Sequence, residues 1–333
     1  MVEGTKGSHH KEGSTKMTET SIIAAGIDVA KAKLDIAVHG CSERWQVANT
    51  TAGFRDLVRL MRHRKVARIG LEASGGYERD VVEHLRKAGF TVVVLQPIQV
   101  KAFATFMLCR AKSDRIDAGL IAACVDARAT SRQAPDPRLS PLADLLTFIE
   151  QIEEDIACNK VRLEHARNPD QRRFLLAEVK RLKTWRGKML AKLAAAVEAH
   201  DDLARRLDLV GSIDGIGKRT ALALIIRMPE LGRLTREEAG CLAGLAPFVR
   251  ESGERKDEAH IAGGRERLRK SLYSAALPAA FFHNAQLIAL YRRLVNKGKP
   301  HKLALVACAR KLVVFANTVL ARGTPWTSQA DTA

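Results

Sequence analysis

Aromatic residues are scarce, at 5% of the 333 positions, so the cores must be built from Ala, Leu, Ile and Val. The six cysteines (Cys41, Cys109, Cys124, Cys158, Cys241, Cys308) are scattered and form no CxxC pair. That argues against a zinc ribbon and makes them read as small buried hydrophobes in a reducing cytosol. No apolar run approaches the roughly 20 residues that span a bilayer, so no membrane association is expected. The first 16 residues have no apolar signal-peptide core; Met17 is an alternative start, or the segment an expression remnant. Internal repeats and low-complexity tracts are also lacking.

Positive charge, by contrast, is abundant. The formal net charge is +18, with a pI near 9.9. Such an excess predicts a polyanionic partner, because neutralising phosphates releases condensed counterions. A merely soluble basic protein is the bland alternative. The excess is uneven: Ala285 to Ala330 carries eight Lys or Arg and no Asp or Glu. Hydrophobic residues make up 46%, enough to exclude disorder over most of the chain.

Periodicity divides the chain in three. Strands are expected over Ser21–Val29, Lys33–His39, Arg44–Asn49, Val66–Leu71 and Thr91–Leu95, with helices over Gly53–Arg64 and about Glu78–Ala88. The order β-β-β-α-β-α-β-α is that of a ribonuclease-H-like domain, whereas a doubly wound nucleotide-binding fold alternates from the start. From Pro141 to Arg167, and again from Leu175 to Val197, apolar residues keep helical spacing on either side of Asn168-Pro169. Two long helices with a tight turn make an antiparallel hairpin, used for dimerisation or for holding nucleic acid; an inert spacer is the alternative. Gly-punctuated helices follow over Leu209–Arg227, Arg236–Leu245 and Glu266–Leu294.

Chemistry concentrates on carboxylates. Asp28 ends the first strand and Glu72 the fourth, neighbours in this strand order. Asp114 and Asp117 stand three apart in KSDRIDA, on one face if that segment is helical. Each acid alone could be a solvated or capping residue, as Asp114 could cap a helix. Together, four carboxylates would repel unless cations neutralised them, and hard oxygen ligands select Mg²⁺ or Mn²⁺.

These residues resemble the insertion sequence one-ten transposases, relatives of the Piv/MooV invertases. The markers are GIDVAK (26–31), LEASGGYE (71–78), KSDRIDA (112–118), GIGKRTA (215–221), LAGLAPF (242–248) and GGRERLRKSLYSAAL (263–277). The resemblance implies a RuvC-like domain whose DEDD acids, Asp28, Glu72, Asp114 and Asp117, bind the metals. It implies a second domain in which Ser252, in the polar loop Arg250–Glu258, is the DNA nucleophile. It further implies donor and target DNA as substrates, a guide (bridge) RNA, a dimeric or tetrameric homo-oligomer and a place in the bacterial cytosol or nucleoid.

Without the family, Ser252-Gly253 would read as a turn, and Ser271 as a structural helix residue. Gly215–Ala221 resembles the hairpin of a helix-hairpin-helix or a plain inter-helix turn, and is no P-loop because Arg219 follows Lys218. Candidate nucleic-acid contacts are Lys112, Arg115, Lys218, Arg219, Arg250, Arg265, Arg269 and Lys270, with a solvated basic face as the alternative. The expected organisation is a disordered tail over 1–20, a RuvC-like domain over 21–135 and a coiled-coil hairpin over 138–206. A mainly α-helical transposase domain over 207–324 and a tail over 325–333 complete it. The function expected is a Mg-assisted, serine-nucleophile DNA recombinase. A metal-dependent nuclease using water, and an inactive nucleic-acid-binding protein, are the rivals.

Overall fold

Two compact units divide the chain between Pro135 and Asp136. The computed structural model describes residues 23–109, 114–127, 136–248, 251–252, 255–256 and 260–327, with the backbone alone at 114–116, 251–252 and 255–256. The expected first tail lies outside the described residues, as does most of the last.

The first unit is built on β1 (Ala24–Val29), β2 (Lys33–Val38), β3 (Arg44–Ala48), β4 (Arg68–Glu72) and β5 (Thr91–Leu95). They form one sheet in the order β3-β2-β1-β4-β5. Short links make β1, β2 and β3 an antiparallel meander, and helical crossovers make β1, β4 and β5 parallel. This mixed sheet is compatible with a ribonuclease-H-like fold. Helices α1 (Thr51–His63) and α2 (Arg79–Lys87) bury Phe54, Leu57, Met61, Val81 and Leu85 in one cluster with Ala25, Ile27, Leu34 and Ile36. Strand alternation sends Ala24, Gly26 and Asp28 to the opposite face. There α3 (Pro97–Phe106) and α4 (Asp114–Asp126) supply Val100, Ile121 and Val125 to a second cluster with Ala24 and Leu95. Pro97, which reads as a break in the sequence, is the first residue of α3, where its missing N–H costs nothing.

The second unit begins with α5 (Leu139–His165) and α6 (Pro169–Glu198). Between them the Asn168 side chain accepts from the N–H groups of Asp170 (2.8 Å) and Gln171 (3.4 Å), so Asn168-Pro169 ends one helix and caps the next. Ile152 and Ile156 pack with Val179 and Leu182. Nearer the other end, Leu142, Leu146 and Ile149 share a core with Leu193 and Val197. That same core takes in the helices that follow.

Those helices are α7 (Asp201–Gly211), α8 (Lys218–Arg227), α9 (Arg236–Leu242), α10 (Glu266–Pro278), α11 (Ala285–Asn296) and α12 (His301–Arg322). Two expected helices are corrected. Leu209–Arg227 is split, because Gly215 turns the chain at φ +92°. A Cβ there would lie 2.3 Å from that of Ala279, so only glycine fits. Glu266–Leu294 is interrupted by a π-helical turn, Ala279–His283, before α11 starts afresh. By length and composition α12 could cross a membrane, with mean hydropathy 1.8. Its residues Leu305, Cys308, Leu312, Val313 and Ala316 are fully buried, which accounts for the apolar sequence as core. Nor do the cysteines read as expected: Cys308 is buried, whereas Cys109, Cys158 and Cys241 are exposed.

Candidate active site

Register brings the first two acids together. β1 and β4 pair Gly26 with Gly70 and Ile27 with Leu71, so Asp28 and Glu72 occupy the next step, on neighbouring strands about 4.8 Å apart. By alternation they share the face that carries Gly26 and Gly70. Both glycines are needed, because α4 lies directly on them. A Cβ on Gly26 would sit 2.2 Å from the Ala118 carbonyl oxygen and 2.3 Å from the Ala122 nitrogen. On Gly70 it would meet Val125 at 2.3 Å and Ile121 at 3.1 Å. Arg68, one step earlier on β4, donates to the Val125 carbonyl at 3.2 Å. Helix α4 therefore runs antiparallel to β1 and β4, so its amino-terminal turn lies toward the carboxyl ends of those strands. Asp117 is half-buried; Asp114 opens the helix.

A third strand adds an acid that the sequence reading did not single out. Asp35 of β2 pairs with Asp28 in the ladder and is 7% exposed. It accepts a hydrogen bond from Gln46 Nε2 (2.6 Å) and an ion pair from Lys33 Nζ (3.0 Å), so its charge is compensated locally. Asp35, Asp28 and Glu72 thus form a row across β2, β1 and β4.

Loops at the carboxyl ends of β1 and β4 are tied together. Asn49 Nδ2 donates to the carbonyls of Ala30 (2.9 Å) and Tyr77 (3.2 Å), joining the segment after Asp28 to the segment after Glu72. Within the latter, Gly75 (φ +73°) and Gly76 (φ +111°) curl the chain around Glu78. The Glu78 carboxylate accepts from the N–H of Ser74 (3.1 Å) and Gly76 (2.9 Å) and from the Ser74 hydroxyl (3.2 Å). Burial pushes its pKa up, but these donors and its own N–H outweigh that and hold the carboxyl below the usual 4.5. Glu78 stands in the LEASGGYE motif, yet nothing in the spacing distinguishes this inward brace from a helix-start acid.

Carboxylate oxygens alone make up the DEDD donor set, the chemistry of a hard divalent ion, so the residues fit one. Among the described residues no three His, Cys, Asp or Glu gather closely enough to hold a metal. The Asp114 side chain, and all of Lys112 and Arg250, lie outside the described residues, as does the side chain of Arg115.

In the second unit the described residues around the expected Ser252 loop pair as short strands, a β-ribbon. β6 (Pro247–Phe248) pairs antiparallel with β9 (His260–Ile261), and β7 (Glu251–Ser252) with β8 (Arg255–Lys256). Ser252 stands opposite Arg255, the last pair before a two-residue connection, and Glu251 stands opposite Lys256.

The ribbon grows from two interlocked loops. A Cβ on Gly264 would lie 2.3 Å from the Gly244 nitrogen, so the LAGLAPF and GGRERLRK motifs touch backbone to backbone. Arg269 Nη1 donates to the carbonyl of Gly263 (2.6 Å) and reaches that of Gly244 (3.4 Å). Arg265 makes a two-pronged ion pair with Glu230, at 2.9 and 2.6 Å. Other candidate contact residues are likewise engaged internally. Lys218 pairs with Glu198 (2.8 Å), Lys270 with Glu266 (3.2 Å), and Arg219 with Glu153 (2.7 Å) and the Ser271 hydroxyl. Buried Glu150 gathers Arg227 (2.7 Å), Arg267 (3.0 Å) and, farther off, Arg219 (3.8 Å).

Two family models match the chain. Residues 25–166 match the DEDD model of the IS110 group, described as a transposase. Residues 207–292 match the model described as Transposase IS116/IS110/IS902 family. The pilin gene-inverting protein of Moraxella bovis is 23% identical over 320 residues, covering 90% of this chain and 96% of that protein. The Moraxella lacunata pilin gene-inverting protein is similar to the same extent, 23% over 320 residues. With the two family matches spanning more than half its length, the chain belongs to the IS116/IS110/IS902 family of DNA transposases.

Proposed function

We propose that this transposase cuts and rejoins DNA through a covalent serine–DNA intermediate, with Ser252 as nucleophile and Asp28, Glu72, Asp114 and Asp117 holding Mg²⁺, or Mn²⁺ in its place. The observation that supports the acidic half is the seating of α4 on the Gly26/Gly70 patch, antiparallel to the strands that carry Asp28 and Glu72. Divalent ions there would neutralise the charge of a scissile phosphate and of its entering and leaving oxygens. The serine half rests on the position of Ser252 at the end of the ribbon and on the family resemblance. Attack by its Oγ breaks the phosphodiester and keeps its energy in the new serine–DNA bond, so that a second hydroxyl can reseal the strand without an external energy source.

The curated relatives are named for inverting a pilin gene, a reaction that both breaks and rejoins strands. That favours recombination over simple hydrolysis here as well. Guidance by a bridge RNA and action as a dimer or tetramer follow from the resemblance and belong to the same proposal. Lys112, Arg115 and Arg250 remain the proposed phosphate contacts. Lys218 and Lys270, whose ion pairs lie at the surface, stay among them, whereas Arg219, Arg265 and Arg269 are proposed to brace the fold.

A denaturing gel of protein incubated with donor and target DNA, guide RNA and Mg²⁺ tests both halves. Wild type is expected to give a protease-sensitive protein–DNA adduct and joined products. Ser252→Ala is expected to give neither, and Asp28→Ala to fold and bind nucleic acid while losing strand exchange by several orders of magnitude, as when a transition-state contact is removed. An adduct in Ser252→Ala would move the nucleophile elsewhere. Free ends without adduct in wild type would establish the water-using nuclease instead.

A further inference from the structure

Between Glu266 and Asp331 the sequence holds eleven Lys or Arg and no Asp or Glu. This stretch folds into α10, the π-helical turn, α11 and α12, and it carries an aromatic cluster that the catalytic proposal does not use. The turn closes with the Asn284 N–H donating to the Ala279 carbonyl at 3.0 Å, five residues back. Buried Asn284 fixes it, donating to the Asp214 carbonyl (3.1 Å) and accepting from the Leu287 N–H (3.1 Å). Gly215 packs against Ala279 from behind. A π-helical insertion so anchored is a device for re-aiming side chains.

What it aims outward are two phenylalanines. Phe281 is 40% and Phe282 78% exposed. Phe281 is held edge-on against Tyr291 (ring centroids 4.9 Å) and stacks over His301 (6.2 Å, 27° between planes). Tyr291 Oη and His301 Nδ1 lie 2.6 Å apart, fixing both rings. Phe282 stands 6.2 Å from Phe281, meets His283 edge-to-face at 6.3 Å and is otherwise largely exposed. In the turn that leads to His301, Lys297 and Lys299 are exposed, as is Lys302 one residue beyond it. None of the three forms an ion pair among the described residues. An apolar patch for a protein partner would need no such rim of like charge, whereas flat rings beside unopposed cations match the two halves of a nucleotide.

We propose that Phe281, Phe282, Tyr291 and His301, with Lys297, Lys299 and Lys302, form a seat for the unpaired nucleotides of a single-stranded nucleic acid. Bases stack on the open aromatic faces and the lysines take the phosphates. Bases inside a duplex are already stacked on one another and cannot reach the rings, so the seat discriminates open strands from paired ones. The inference rests on the recombinase reading, since strand exchange exposes unpaired nucleotides.

The test is fluorescence anisotropy of the full-length protein with a labelled DNA strand, the same sequence in RNA, and the matched duplex. Phe282→Ala is expected to weaken binding of at least one single strand by about tenfold, the scale of one lost base stack, with duplex binding and thermal melting unchanged. Phe282→Trp is expected to restore it, and Phe282→Leu, apolar but unable to stack, to behave like Ala. The strand that responds tells DNA from RNA. Unchanged single-strand affinity in Phe282→Ala, an equal loss on duplex, or a change of oligomeric state on sedimentation each overturns the seat, the last by making the patch a protein interface. Those failures leave the recombinase reading standing. Wild type that binds neither strand nor duplex overturns both.

Discussion

Glu78 shows how a single side chain can hold the shape of the loop that follows a proposed metal ligand. Its carboxylate gathers donors from Ser74 and Gly76, and its pKa is held below 4.5 in the fold. A depressed carboxyl contributes stability above its unfolded pKa and loses it as pH falls through the folded value. Glu78→Ala is therefore expected to cost about 1–3 kcal/mol at neutral pH, the range for charged hydrogen bonds. The difference from wild type should shrink once pH drops below about 4.5, which urea denaturation at a series of pH values checks. The places of Asp28 and Glu72 near strand ends were legible in the sequence because each closes an apolar run. The burial of Asp35 was not, because Lys33 and Asp35 alternate with apolar residues as a solvent-facing edge would; only the ladder shows Asp35 buried beside Gln46 and opposite Asp28.

At the scale of elements, the helix that carries Asp114 and Asp117 owes its place to the missing side chains of two glycines. Gly26→Ala would drive a methyl into the backbone of Ala118 and Ala122, which cannot rotate away as a side chain can. The expected result is a loss of about 1–3 kcal/mol or more, with strand exchange falling further than stability because the acids of α4 move off Asp28 and Glu72. Gly187, inside α6 with nothing within 4 Å of a Cβ, is the control. Alanine there is expected to stabilise by about 0.5–1 kcal/mol without touching exchange. Thermal melts beside a strand-exchange assay separate the two; exchange that survives Gly26→Ala would remove α4 from the site. The strands and long helices were legible from their periodicity, within a few residues. The seating of α4 was not, since it depends on contacts across some ninety positions. Two-residue strands such as β6 to β9 are too short to show any period, and the π-helical turn hides inside a pattern that reads as one continuous helix.

For the whole molecule, the formal charge of +18 overstates what is offered to a polyanion. Arg219, Arg227 and Arg267 converge on Glu150, Arg265 is clamped by Glu230, and Arg269 caps the carbonyls of two glycine loops. Those cations have partners within the fold, and releasing the three that meet on Glu150 would strip a buried carboxylate of its donors. Exposed lysines in the acid-free stretch carry no such penalty. The logarithm of affinity falls with the logarithm of salt by about 0.7 per phosphate neutralised on a single strand and about 0.9 on duplex. Changing Lys297, Lys299 and Lys302 together to Gln is therefore expected to lower the single-strand slope by about 2 while leaving the melting temperature near wild type. Arg265→Ala with Arg269→Ala is expected to do the reverse: a lower melting temperature, because the base of the Ser252 ribbon loses its braces, and a slope within one phosphate of wild type. Titrations between 50 and 200 mM salt measure both. If the arginine pair flattens the slope and the lysines do not, the binding surface lies on the loops at the ribbon's base, and the arginines contact phosphate in place of their internal partners.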